Sequence, residues 1–289
     1  MRLGVETPDV LVDVAHLPYD GIEATDEGGL RIGAAVRNSD LAGDPRVRAR
    51  YPALAEALLA GASGQLRNLA TTGGNLLQRT RCPYFQDATK PCNKRDPGSG
   101  CPAREGEHRN LAVIGHSDHC VATHPSDMAV ALAAFDATVR VVGRRGEREI
   151  PLVELHRLPA EAPQDDTVLE RDELIVAVDL PALTLAANSR YRKVRERASF
   201  SFALVSVAAA LAVVDGEVRD VRVAFGGLAH KPWRAYATEE ALRGSAAYDE
   251  AFGRAADAEL RRAEPLRDNG YKVALARRIL VRTLVELAA

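Results

Sequence analysis

Apolar and polar positions along the chain change period several times, and each change marks an element. Val10 to Val14 and Leu30 to Val36 read as short strands, the second entered through a Gly28-Gly29 turn. A helix is predicted from Pro52, with Leu54, Leu58 and Ala62 on one face before Gly61 and Gly64 break the pattern. Ser126 and Asp127 stand where a helix through Ala129 to Phe135 needs its cap. Thr138 to Val142 and Leu174 to Leu180 read as strands, and Pro159 to Gln164 as a loop. Val205 to Val214, Asp215-Gly216 and Val218 to Phe225 form a strong hairpin signal, because Asp-Gly supplies the two positive-φ positions of a tight turn. Val273, Ala276, Leu280, Leu284 and Leu287 repeat at three and four, which predicts an amphipathic closing helix. The pattern is mixed α+β, without internal repeats, and changes style near residue 183.

Residues 78 to 120 fit neither period. They hold Pro83, Pro91, Pro97 and Pro102, four glycines from Gly98 to Gly115, and every cysteine of the chain: Cys82, Cys92, Cys101 and Cys120. Such a segment forms no long helix or central strand, so something other than apolar packing has to order it. With 289 residues, 46% of them hydrophobic, the chain has no need of a disulfide framework, and Met1 to Glu6 carries no signal-peptide core. A metal site is the better reading. The spacing C-x9-C-x8-C-x18-C differs from the paired C-x2-C of most structural zinc sites, and four thiolates suit either a tetrahedral zinc or an iron–sulfur cluster.

Charge narrows the partners. A net charge of -2 and a pI near 6.4 give no basic stripe for nucleic acid or an anionic membrane, and no apolar run approaches the roughly 20 residues that span a bilayer. By sequence alone the chain reads as cytoplasmic. Thr71-Thr72-Gly73-Gly74-Asn75 is a second chemical signal, since paired glycines let backbone amides approach a phosphate, although Gly-Gly alone is ordinarily only a turn. Asp127 in His124-Pro125-Ser126-Asp127 is placed either to cap a helix or to meet a ligand hydroxyl. Tyr191-Arg192-Lys193-Val194-Arg195 offers cations either to a nucleotide or to solvent.

Taken together, Arg67 to Phe85, Cys92-Asn93-Lys94-Arg95, Gly100-Cys101, His119 to Asp127 and Tyr191 to Phe200 resemble the flavin subunits of the xanthine dehydrogenase family of molybdenum hydroxylases. The branch with a cysteine-rich insertion, found in bacterial periplasmic aldehyde oxidoreductases, is the most similar. The resemblance covers nearly the whole chain. It implies an α+β fold: a two-lobed, PCMH-type FAD-binding domain over 1–183, carrying a cluster insertion at 78–120, then a small domain of the CO dehydrogenase flavoprotein type over 184–289. It further implies an electron-transfer subunit that passes electrons from iron–sulfur clusters to FAD and on to an external acceptor. Its partners would be a molybdenum-cofactor subunit that oxidises an aldehyde and a subunit with [2Fe–2S] clusters.

Carried over residue by residue, the resemblance places Thr71, Thr72, Gly73, Gly74 and Asn75 along the flavin, with the glycine amides near its pyrophosphate. Asp127 would accept from a cofactor hydroxyl, Lys193 would lie near the ring system, and Leu174 or Ile175 would pack on it. Cys82, Cys92, Cys101 and Cys120 would ligate a [4Fe–4S] cluster, and no residue of this chain would be a bond-breaking catalyst. The family's first glycine-rich flavin loop has no counterpart, because Met1 falls at the segment that follows it; the expectation is a late-assigned start or a truncation with impaired flavin binding. A partner's twin-arginine signal would allow a periplasmic location. Two other readings stand beside this one: a self-contained flavin oxidase of the same fold, and a zinc-stabilised interaction module.

Overall fold

The computed structural model describes residues 7–289; Met1 to Glu6, where the missing-loop expectation falls, lie outside the described residues. Ile22–Ala24 (β1) and Leu30–Gly33 (β2) form a hairpin whose turn uses Gly28 at φ 79°. Three helices follow, Asn38–Gly43 (α1), Pro45–Arg50 (α2) and Pro52–Ala60 (α3). Proline opens α2 and α3, where its missing N–H is not needed, and Asp44 caps α2 by accepting from the amides of Arg46 and Val47. Short turns Gly64–Arg67 (α4), Thr72–Leu76 (α5) and Pro83–Gln86 (α6) lead into the cysteine-rich segment, whose other regular piece is a 3-10 turn at Pro102–Arg104.

After that segment, Asp127–Ala134 (α7) is capped by Ser126, whose Oγ accepts from Ala129 N at 3.0 Å. Thr138–Gly143 (β3), Gly146–Pro151 (β4), the turn Leu152–Leu155 (α8) and Leu174–Leu180 (β5) complete an antiparallel sheet of order β1-β2-β5-β3-β4. Leu30 pairs with Leu180 and Val139 with Val178.

A second antiparallel sheet, ordered β6-β7-β8-β9, is built from Ser189–Val194 (β6), Val205–Val214 (β7), Glu217–Gly226 (β8) and Trp233–Arg234 (β9). Asp215 and Gly216 turn the central hairpin at φ 52° and 78°. Tyr236–Leu242 (α9), Asp249–Leu260 (α10) and Tyr271–Ala288 (α11) finish the chain.

The all-apolar character of β7 follows from burial on both faces. Val205, Val207, Ala209 and Leu211 join a core with α9, α10 and α11, whereas Ala208 and Ala210 face the core shared with α3 and α7. Alanine on the latter face lets α7 approach closely. The cysteine-rich segment is tied to this sheet by Lys272 of α11, a fully buried ammonium that donates to the carbonyls of Asn110, Leu111 and Gly227.

Val10 to Val14 is not a strand. Val10, Leu11 and Val12 are exposed and pair with no described residue, so the apolar run has no edge on which to form a ladder. Strand β2 ends at Gly33 rather than Val36, and Ala62 lies beyond α3 at φ 51°.

Candidate functional site

A cleft of about 920 Å³ opens where α3, α4, α5 and the start of α7 meet β6 and the 196–202 loop. Its size suits a large ligand, since pockets for small molecules run to roughly 1,000 Å³. Its lining includes Leu66, Leu69, Phe200 and Phe202, all well exposed side chains. Polar groups of the lining are Thr71, Asn75, Asp127 and Lys193. Arg67 braces the rim by donating to Gly61 O at 2.7 Å, and the Arg81 guanidinium stacks over the Phe202 ring. A lining that mixes aromatic surface with hydrogen-bonding groups suits an amphipathic aromatic ligand.

The Thr-Thr-Gly-Gly-Asn segment forms α5, with Thr71 as its cap. Its amides are already committed within the protein. Thr72 N donates to Val36 O, Gly73 N to Ala34 O at 2.9 Å, Gly74 N to Thr71 Oγ1 at 3.2 Å and Asn75 N to Thr71 O at 2.8 Å. Gly73 is needed for packing, because a Cβ there would come within 3.2 Å of the methyl of Ala34, the residue that follows β2. The Gly73 amide is thus turned away from the cleft, whereas Gly74 stays exposed at its edge, its amide meeting only the Thr71 cap.

Asn38 is a polar group that the sequence did not disclose. It starts α1, is 4% exposed and lines the cleft, and its Oδ1 has no hydrogen-bond partner among the described residues. A buried amide oxygen without a partner costs about 1–3 kcal/mol, and a donor brought by a ligand would remove that cost. Asn75 is oriented by two donors onto its Oδ1, from Ser126 Oγ and Gln78 Nε2, both at 2.7 Å.

Asp127 and Lys193 form a buried pair at the cleft floor, Nζ to Oδ2 2.7 Å, with Tyr191 Oη donating to the other carboxylate oxygen. Burial pushes the Asp127 carboxyl up from its ordinary range, opposed by Lys193 and by the Tyr191 hydroxyl. Burial likewise drives the Tyr191 phenol well above its ordinary value. Lys193 also donates to Ala60 O at 3.2 Å, which leaves one ammonium hydrogen for the cleft. Gly61 admits this contact, since a Cβ there would stand 3.2 Å from Asp127 Oδ2.

The four cysteines, scattered along the insertion, line one further pocket with Phe85, Pro91 and Val121. All are thiols; Cys82, Cys92 and Cys120 are buried and Cys101 partly so. Desolvation pushes Cys82 up to about 11 and Cys120 up to about 12, the latter against the pull of the Lys94 ammonium. Four soft donors in an apolar enclosure match the ligand set of a cluster or of zinc. Among the described residues no group of three or more His, Cys, Asp or Glu side chains is arranged to hold a metal ion. Lys94 itself is buried and binds Asp166 and Pro163 O.

Of the residues expected along a flavin, the fold brings Thr71, Gly74, Asn75, Asp127 and Lys193 to one cleft, while Thr72 and Gly73 lie just behind it. Leu174 and Ile175 are elsewhere. They sit on β5, where Ile175 belongs to the core of the first sheet, and neither lines the cleft. No helix among the described residues is long and apolar enough to cross a membrane.

Family models match the chain in two successive parts. Residues 1–183 match the family described as FAD binding domain in molybdopterin dehydrogenase, and residues 189–287 match the CO dehydrogenase flavoprotein C-terminal domain. The chain is 53% identical, over its full length and 88% of the relative, to the aldehyde oxidoreductase FAD-binding subunit PaoB of Escherichia coli K12. It is 26% identical to the carbon monoxide dehydrogenase medium chain of Hydrogenophaga pseudoflava, over 98% of this chain and 83% of that one. Carbon monoxide dehydrogenase from H. pseudoflava, solved lacking the Mo-pyranopterin moiety, superposes with a TM-score of 0.67 at 26% identity, covering 92% of this chain and 77% of that chain. Quinoline 2-oxidoreductase from Pseudomonas putida 86 shares the fold, with a TM-score of 0.67 at 21% identity over 93% of this chain and 78% of that one. The chain belongs to the FAD-binding subunits of the xanthine dehydrogenase family, and its enzyme class is that of an oxidoreductase complex.

Proposed function

We propose that this chain is the FAD-carrying electron-transfer subunit of a molybdenum-dependent aldehyde oxidoreductase, working with a molybdenum-cofactor subunit and a [2Fe–2S] subunit. The observation that carries the reading is the 53% identity, along the whole chain, to an aldehyde oxidoreductase FAD-binding subunit. Cleft and donor set support it. Flavin supplies an acceptor that takes electrons singly and releases them in pairs, and the protein's part is positioning and tuning.

In this reading Asn38 and Asn75 meet the polar portion of the cofactor, and Thr71 and Gly74 border it. Asp127 holds the Lys193 ammonium at the cleft floor, where its remaining hydrogen meets an acceptor on the ligand. Phe200, Phe202, Leu66 and Leu69 cover the aromatic portion and exclude water. Cys82, Cys92, Cys101 and Cys120 hold a [4Fe–4S] cluster, whose formation would take up thiolates that burial otherwise disfavours. No group in this chain breaks a substrate bond.

The test is anaerobic purification of the co-expressed complex, with flavin, iron and zinc measured per chain. Expected are flavin bands with a broad iron–sulfur shoulder, and about four irons and four sulfides per chain beyond those that the [2Fe–2S] subunit carries when purified by itself. The isolated chain should oxidise aldehydes little. Stoichiometric zinc with no iron beyond that of the [2Fe–2S] subunit would replace the cluster reading, and robust aldehyde turnover by the isolated chain would make it a self-contained oxidase. Cys92→Ala or Cys101→Ala should lose the iron and loosen residues 78 to 120.

A further inference from the structure

A small cavity of about 20 Å³ is lined by Leu76, His124, His156, Asp166 and His230 together with Gln78, which also lines the cleft, and Thr80, which also lines the cysteine pocket. Each of the three imidazoles has one ring nitrogen fixed by the protein and one without a partner. The fixed contacts determine the tautomers. His156 Nε2 faces Leu76 O at 2.8 Å and His230 Nδ1 faces Arg157 O at 2.9 Å; a carbonyl only accepts, so both of these nitrogens carry the proton. Their other nitrogens, His156 Nδ1 and His230 Nε2, are bare acceptors. His124 is the reverse. Its Nδ1 accepts from Ser126 N at 3.3 Å, so its Nε2 carries the hydrogen.

The three unpartnered nitrogens are therefore one donor and two acceptors. We infer that a single internal water occupies this cavity, accepting from His124 Nε2 and donating to His156 Nδ1 and His230 Nε2. The volume exceeds the roughly 10–15 Å³ that one water needs, and three polar partners is the usual number for a buried water. The neighbouring charge agrees: Asp166 Oδ1 stands 3.9 Å from His230 Nε2, two acceptors with no bond to make, and the carboxylate is instead held by Lys94 and Arg79. Burial also keeps all three rings uncharged, with His156 and His230 lowered to about 4 and His124 well below its ordinary value.

The location gives this water its role. Through His124 and Ser126 it steadies Asn75 at the cleft, and through Thr80 and Asp166 it adjoins the segment that carries the cysteines. It is a neutral, directional pin at the junction of the two sites, and it holds whether or not flavin and a cluster are what those sites bind.

A crystal structure of the purified complex, at a resolution that orders internal waters, tests this directly. Expected is one spherical density peak at about 2.8 Å from all three nitrogens, with no anomalous signal at transition-metal edges. An empty cavity, or a metal ion revealed by anomalous scattering, would overturn the inference. In the same complex, His230→Leu removes one acceptor and fills part of the space. The peak should vanish, and amide exchange in 76–80 and 123–127 should quicken about tenfold. Unchanged exchange in a folded His230→Leu complex would remove the pinning role, and if that variant fails to fold, the wild-type density decides alone.

Discussion

Replacing Lys193 by Met leaves the Asp127 carboxylate buried without its cation. The pair is well shielded, with side-chain exposures of 4% and 9%, so water cannot substitute for the lost ammonium. Breaking a buried pair on one side costs about 3–5 kcal/mol. The acid has an escape, because it can take up a proton. Starting from its ordinary 3.8, doing so near pH 7.5 costs about 5 kcal/mol, which sets the ceiling on the loss. Tyr191 Oη still donates to the carboxylate and lowers the cost from that ceiling. The expected loss for Lys193→Met is thus about 3–4 kcal/mol. It carries a pH signature: a carboxyl with a raised folded pKa favours the fold at low pH and loses that contribution as pH rises through its folded value. The deficit should therefore shrink as pH falls from about 7.5 to about 5. Urea unfolding of flavin-stripped protein, followed by the fluorescence of Trp233, measures both. Adding Asp127→Asn to Lys193→Met should recover most of the stability, since the buried charge is gone. A loss under about 1 kcal/mol, independent of pH, would refute the reasoning.

Acid should weaken the junction. His156 and His230 sit at about 4 in the fold against an ordinary 6.5, so the unfolded chain binds more protons as pH drops through 6.5, and by about pH 5 the loss is about 2 kcal/mol for each, read from unfolding midpoints across that range. Lys272 acts at the other end. Burial lowers it to about 7 from 10.5, so stability should rise by up to about 1.4 kcal/mol per pH unit between those values, and Lys272→Met should flatten the slope in urea titrations. Gly33→Ala would set a Cβ 2.1 Å from Tyr19 O, a backbone atom that cannot swing aside; a loss above about 2 kcal/mol is expected in melting or urea curves, and an unchanged midpoint would mean that the strand shifts freely.

Local chemistry determined a good part of this protein in advance. The Asp215-Gly216 hairpin, the Ser126 cap, the strands at Thr138 and Leu174 and the closing helix at Tyr271 all follow from turn propensity, capping and period, which act within a few residues. So does the isolation of the cysteines in a segment without a regular period. Local signals misled where a partner strand decides the outcome: Val10 to Val14 has the composition of a strand and no described neighbour, whereas Tyr191 to Arg195, read as a basic cluster, lies for the most part in β6 because β7 pairs with it. Families of residues could be named from motifs, yet their neighbours could not. Tertiary packing alone turned the Gly73 amide onto Ala34 O, carried Leu174 and Ile175 away from the cleft, and left the Asn38 Oδ1 buried beside it without a partner. It also gathered His124, His156 and His230, which lie far apart in the chain, around one water-sized space. The physical reason is range: propensity and capping depend on residues a few positions apart, while burial, unpaired polar atoms and pKa depend on whichever residues the folded chain brings alongside.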